Sequence, residues 1–305
     1  MGFDTAYEAI TEESDSGHRW AFGTGFTDPL AGVDTSVPAG VDGADLAAYC
    51  LMLGDDALIM SHRLQQWLAR APELEEETAI ANIALDLLGQ ARLLLSRAGT
   101  ADGSKRTEDD YAFDRTEREF RNVRLAEVAD ADFAGLVARL VVFSSWRLAL
   151  LVRLRDSADP VLAAVAAQGV KELTYHRDYA AQWVIRLGDG TDYSRQRMAA
   201  GLAAVAPLVA ELFVPSAVEE RLGAVAVNPA HVRSEFDAVL AEVLAAAGLT
   251  EREAGWPDTA GGSGGSSPRA GTVGQAGRDG VHTEAMGYLL AELQSVARAM
   301  PGATW

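Results

Sequence analysis

Apolar residues recur at helical spacing along most of the chain, from about residue 45 to residue 300. Leu46, Tyr49, Cys50, Leu53, Ala57, Met60, Leu64, Trp67 and Leu68 form one stripe with a helical period, which predicts a helix buried along one face. Asp45 is placed to cap its start and Ala71-Pro72 to end it. Glu73, Glu75, Glu76 and Glu77 then crowd the first turn of a second helix, where the dipole favours anions. Its stripe is Ile80, Ala84, Leu87, Ala91, Leu94 and Ala98, with Gly99 as the stop. Residues 100 to 130 are charged and mostly irregular, with a short helical piece expected at Thr116 to Phe120.

A third helix, about Phe133 to Arg155, is apolar on more than one face, which predicts a central position. Asp159-Pro160 supplies the cap and first residue of a fourth, which passes Val165, Leu173, His176, Ala180 and Trp183 to Leu187. Gly188-Asp189-Gly190 closes it. Further helices are predicted from about Tyr193 to Phe213 with a kink at Pro207, from Pro229 to Ala247, and from Thr283 to Met300. No segment alternates polar and apolar residues as a strand would. The fold class is all-α: a central four-helix bundle with additional flanking helices.

Two stretches fall outside this pattern. Residues 1–43 are polar and aperiodic, which predicts a mobile N-terminal extension with a short ordered piece near Trp20 to Phe26. Gly and Ser dominate 259–280, a flexible loop within a single helical domain spanning 44–305.

At 305 residues and 49% hydrophobic the chain can bury a large core. Its formal net charge of −18 repels phosphate backbones, so nucleic acid is not an expected partner, although a small anion at a local basic spot remains open. Cys50 is the one cysteine and lies in an apolar stripe, which predicts a buried thiol in a reducing cytosol. Residues 1–20 carry five acidic side chains and no apolar run, so no signal peptide is expected. The longest uncharged apolar stretch, Met198 to Ala210, falls short of the ~18–20 residues that span a bilayer, and Arg139, Arg147 and Arg153 interrupt the third helix. The expectation is a cytoplasmic protein without a membrane segment.

The candidate chemistry lies on the core faces. Di-iron helical bundles place Glu-x-x-His on two inward-facing helices, because residues three apart share a face and grip one metal together. The matching pairs here are Leu87 with Gln90 and Leu173 with His176, so a carboxylate is missing from both. Asp56 lies beside the first stripe, Asn82, Asp86 and Gln90 form a polar ridge on the second helix, and Glu172 precedes His176 by one turn. Packed as a bundle, Asp56, Asp86, Gln90 and His176 are expected to converge at mid-height. Such a cluster reads as a satisfied polar network, a single metal site or a di-iron centre. The single inward histidine and the two leucines favour the network, since unpaired buried polar groups cost about 1–3 kcal/mol each. His18, His62, His231 and His282 fall outside it. No Gly-x-Ser-x-Gly, Cys-x-x-Cys or phosphate-binding Gly-rich loop is present, and Gly261 to Gly265 is low complexity without a preceding strand.

Several segments together resemble one family. Leu53-Gly54-Asp55-Asp56-Ala57-Leu58-Ile59, Ala71-Pro72-Glu73-Leu74-Glu75 and Ala81-Asn82-Ile83-Ala84-Leu85-Asp86-Leu87-Leu88-Gly89-Gln90-Ala91-Arg92 are similar to the C subunits of bacterial phenylacetyl-CoA epoxidases. So are Lys171-Glu172 with Tyr175-His176, Arg186 to Asp192, and the ending from His282-Thr283-Glu284 to Trp305. The similarity runs collinearly from about residue 45 to the C-terminus. It implies a ferritin-like fold and a non-catalytic structural subunit in aerobic phenylacetate catabolism. A sister A subunit would carry the di-iron centre, and a B subunit and a reductase would complete an oxygen- and NADPH-dependent monooxygenase. No cofactor is then expected in this chain. The first three helices and the last are expected to pair with A over more than ~2,000 Å². Arg278 and His282, at the end of the Gly/Ser insertion, stand where a CoA or partner contact would fall. The competing readings are an autonomous ferritin-like metal-binding oxidase and a helical adaptor unconnected with oxygenase chemistry.

Overall fold

The structure is a computed structural model describing residues 30–256 and 276–301. The first helix, α1 (Gly43–Gln65), starts ahead of its expected cap because Asp42 reaches two free amides, accepting from Ala44 N at 2.9 Å and Asp45 N at 3.0 Å. Asp45 lies inside the first turn and pairs with Arg221 at 2.6 Å instead. α2 (Leu74–Ala101) runs through Gly99 rather than stopping there. A Cβ at Gly99 would lie 2.1 Å from the carbonyl oxygen of Arg106, so the glycine admits the returning backbone.

The irregular stretch holds two short helices that periodicity does not predict, α3 (Glu108–Phe113), started by the Thr107/Asp110 capping box, and α4 (Arg124–Glu127). The helical piece expected at 116–120 is a 3₁₀ turn, Glu117–Glu119. α5 (Phe133–Leu154) and α6 (Pro160–Gly188) lie where the pattern puts them, capped by Asp132 and Asp159. α7 (Asp192–Val205) passes into a 3₁₀ helix at Ala206–Phe213, so the expected kink at Pro207 takes the form of a change in helix type. A short α8 (Ala217–Leu222), capped by Ser216, is a further element that periodicity does not predict. α9 (Arg233–Ala246) and α10 (Glu284–Ala299) follow, with a 3₁₀ turn at Pro229–Val232 before α9. Among the described residues there is no strand.

α1 packs along α2, α5 along α6, and α2 against α6, which closes a four-helix bundle flanked by the shorter helices. Three segments are apolar and long enough to cross a membrane by length and composition: Leu74–Ala101, Phe133–Leu154 and Asp192–Val225. Isolated charges interrupt each one, so the longest uncharged run, Met198 to Ala210, covers only part of the third. In α5 the apolar surface is spent inside the bundle, with 89% of its most apolar window buried.

The helical unit begins at Val33, eleven residues ahead of the boundary at 44 expected from polarity alone. Arg97 of α2 donates to the carbonyls of Thr35 and Ser36 and pairs with Asp159, so the residues ahead of α1 are tied to the start of α6. The piece expected at Trp20 to Phe26 lies outside the described residues. So does most of the Gly/Ser loop, whose described end holds a 3₁₀ turn, Gly277–Asp279.

Candidate functional site

The predicted core residues divide into three groups. On the α2–α6 seam, the fully buried His176 places Nε2 2.9 Å from Oδ2 of Asp86, which is itself partly exposed. One turn along, Gln90 donates to Glu172 Oε2 at 2.8 Å, and Gln168 donates to the other Glu172 oxygen at 2.8 Å. Gly169 permits this approach: a Cβ there would lie 2.6 Å from Leu151 and 3.3 Å from the Gln90 amide. Asp56, on α1, bonds none of these residues. Leu87 and Leu173 are fully buried.

A residue absent from the predicted cluster bonds one of its members. Arg147 of α5 is fully buried, and its Nε donates to Gln90 Oε1 at 3.1 Å and its Nη1 to the Leu53 carbonyl at 3.1 Å. Burial pushes its pKa down to about 10 against the opposing charge of Asp56, so it stays cationic near neutrality. In the sequence Arg147 serves only as an argument against a membrane span. A charged residue on a helix apolar all round was the available signal that the core holds an anion.

Asp55 and Asp56, adjacent on α1, pin the segments that cover this end of the bundle. Asp55 takes two bonds from Arg115, one of them 2.9 Å, and one from Arg121 N at 2.8 Å. Asp56 accepts from Val123 N at 2.8 Å and from both terminal nitrogens of Arg278 at 2.8 and 3.1 Å. Arg278 also donates to the carbonyls of Met52 (2.8 Å) and Arg121 (2.6 Å). Burial acts against its charge, but Asp56, with the charges of Glu219 and Glu211, outweighs burial and holds the guanidinium above its usual range. Gly277, beside it, leaves no room for a side chain, since a Cβ would lie 2.0 Å from the Asn122 carbonyl.

Arg278 and His282 therefore do not face outward as candidate CoA or partner contacts. Their Gly/Ser flank suggests exposure, whereas the buried anions Asp56 and Glu127 draw both inward. His282 Nδ1 lies 2.7 Å from Glu127 Oε2 and Nε2 lies 3.2 Å from the Phe120 carbonyl. Glu127, fully buried, also accepts from Asn122 at 2.8 Å and Thr283 N at 2.5 Å.

Two acceptors facing both ring nitrogens suit the imidazolium. Burial lowers the His282 pKa, but Glu127, the Phe120 carbonyl and the charge of Glu117 raise it above its ordinary 6.5. A raised folded pKa stabilises fully below about 6.5 and loses its contribution as pH climbs through the folded value. Urea unfolding from pH 6 upward should therefore show stability falling in the wild type more steeply than in His282→Gln. Parallel curves for the two proteins would contradict the assignment.

The donors present do not fit a two-metal carboxylate centre. Leu87 and Leu173 offer no ligand atom, and a guanidinium bonds Gln90, at the polar position of the first pair. Among the described residues, the His and acidic side chains whose donor atoms gather three together within 4.8 Å are Glu73, Glu75 and Glu76, outside the core. The interior charge of Asp56 is met instead by Arg147 and Arg278.

A family model described as PaaA_PaaC, phenylacetic acid catabolic protein, matches residues 34–305. The chain belongs to this family. It is 40% identical over 262 residues to the C subunit of the 1,2-phenylacetyl-CoA epoxidase of Escherichia coli (strain K12), covering 85% of this chain and 99% of that protein. The bundle is thus the all-α, ferritin-like fold of the phenylacetic acid catabolic proteins. Within that fold this family member carries the buried Arg147 and the inward-turned Arg278.

Proposed function

We propose that this chain is the non-catalytic structural subunit of a phenylacetyl-CoA epoxidase. It pairs with and stabilises the catalytic A subunit, which carries the di-iron centre of an oxygen- and NADPH-dependent monooxygenase. A B subunit and a reductase complete the complex in the cytoplasm. The observations that carry this reading are the buried Arg147, bonded to Gln90, and the fully buried Leu87 and Leu173 at the positions where a di-iron bundle needs carboxylates. A fixed cation in that place repels a metal ion, while the same bundle shape is kept for packing. The likeness to the Escherichia coli epoxidase chain supports the assignment to an epoxidase complex rather than to a free-standing oxidase.

Elemental analysis tests this directly. The chain purified alone should hold no stoichiometric iron, and the pair co-expressed with A should hold roughly two irons. Two tightly bound irons in the isolated chain would instead establish the autonomous ferritin-like oxidase.

A further inference from the structure

The helices α1, α2, α3 and α10 leave between them a cavity of about 300 Å³, whose lining includes none of the residues bonded across the α2–α6 seam. Small-molecule sites begin at about this size and combine an apolar wall with a few polar groups. Here Leu58 of α1, Leu88 and Leu95 of α2, Phe113 of α3 and Leu293 of α10 supply the wall. Ala91 on α2 and Ala112 on α3 also line it, and a larger side chain at either would take up part of the space.

Most of the polar lining is already engaged. Ser61 donates to the Ala84 carbonyl at 2.6 Å and accepts from Gln65 at 3.4 Å. Arg92 is held by Glu108 at 3.1 Å, and Ser96 donates to the other Glu108 oxygen at 2.9 Å. Two groups are left over. Neither ring nitrogen of His62 has a hydrogen-bond partner among the described residues, and Nε2 is buried. The Asp109 carboxylate likewise has no hydrogen-bond or ion-pair partner among them. Burial lowers the His62 pKa below its ordinary 6.5 against the opposing charge of Glu292, so the ring is neutral near pH 7. Burial and the charge of Glu108 hold the Asp109 carboxyl above its usual range. With Arg92 and Glu108 cancelling and His62 neutral, Asp109 leaves the lining with one net negative charge.

We propose that this cavity binds a small organic amine, with its ammonium group against Asp109 and His62 and its alkyl or aryl body among the leucines and Phe113. The neutral imidazole accepts one ammonium proton and the carboxylate another, which gives both side chains the partner they lack. An anion of the same size would meet an uncompensated carboxylate, because Arg92 is committed to Glu108. A bare metal ion is a poorer match. Among the described residues, His62, Glu108 and Asp109 do not bring three donor atoms within 4.8 Å of one another. Since Leu293 belongs to α10, an occupant also ties the last helix to the first two. The proposal does not depend on pairing with an A subunit.

The test titrates n-hexylamine into the full chain near neutral pH, with n-hexanoate as the counterpart of opposite charge. Binding is followed through the ring resonances of His62, assigned by their loss in His62→Gln. Hexylamine should shift them with a Kd on the order of 1 mM, as expected of a ligand with few heavy atoms, and hexanoate should bind at least about 10-fold more weakly. Asp109→Asn, at an exposed position of α3, should weaken hexylamine binding about 10-fold. Glu220→Gln, an equal change in net charge at an exposed position of α8, should leave it as in wild type. Hexylamine that leaves the His62 resonances in place would overturn the proposal. So would equal affinity for the acid, or no loss in Asp109→Asn. Equal losses in the two carboxylate variants would assign the binding to the charge of the whole chain and likewise overturn it.

Discussion

Replacing Arg278 with methionine should destabilise the protein by about 3–5 kcal/mol, a fall in Tm of more than about 8 °C. The loss arises chiefly from what stays behind. Asp56 is fully buried, and without Arg278 it keeps one amide bond from Val123 and the charge of Arg147, which does not touch it. A buried carboxylate stripped of its partner is more costly than a pair removed together. Adding Asp56→Asn to Arg278→Met should therefore recover stability, since the amide oxygen still accepts from Val123 and carries no charge. Chemical denaturation of the single and double variants measures this. A loss below about 1 kcal/mol for Arg278→Met, or a double variant no better than the single, would refute the account.

Asp159→Ala should cost a similar amount, about 4 kcal/mol, through two separate losses. Its oxygen caps α6 by accepting from Leu162 N at 2.9 Å, which is worth about 1 kcal/mol. The larger part is the Arg97 guanidinium, buried and left with only the carbonyls of Thr35 and Ser36. Asp159→Asn keeps the cap and loses only the charge, so its cost should be smaller. Hydrogen exchange reads the second effect apart from the first. Amides between 33 and 42 should exchange faster in Asp159→Ala, whereas unchanged protection there would show that Arg97 does not anchor that segment through Asp159.

These two pairs mark the boundary of what sequence can disclose. Local signals are legible where a single segment decides the outcome. Asp159-Pro160 starts α6 and Gly188 ends it, because a cap and a stop act on neighbouring amides. Leu87 and Leu173 are legible as buried from periodicity alone. Asp45 passes for the cap because two aspartates three apart both suit that role, and only geometry shows Asp42 reaching the amides. Arg278 is hidden for a different reason. Its partner lies 222 residues away, and glycine-rich flanks suggest exposure whichever way the side chain turns. Arg147 is visible but ambiguous: an arginine in an apolar helix implies some anion, and the pattern does not name it. The expected convergence of Asp56 with Asp86 and His176 assumes that inward-facing polar residues find one another. Each instead takes the nearest group able to satisfy it.

The separation between Asp56 and Arg278 also bears on the order in which the protein can be completed. Asp56 leaves the ribosome early, whereas Arg278 follows only after 222 further residues. Throughout that interval the fully buried Asp56 lacks the Arg278 cation, and His282 has not yet reached Glu127. A nascent chain that has not reached residue 276 holds Asp56 against Arg147 alone and lacks the last helix, Glu284–Ala299. Closing this end of the bundle is thus a late event, because Arg278 and His282 follow in the chain the segments that they tie down.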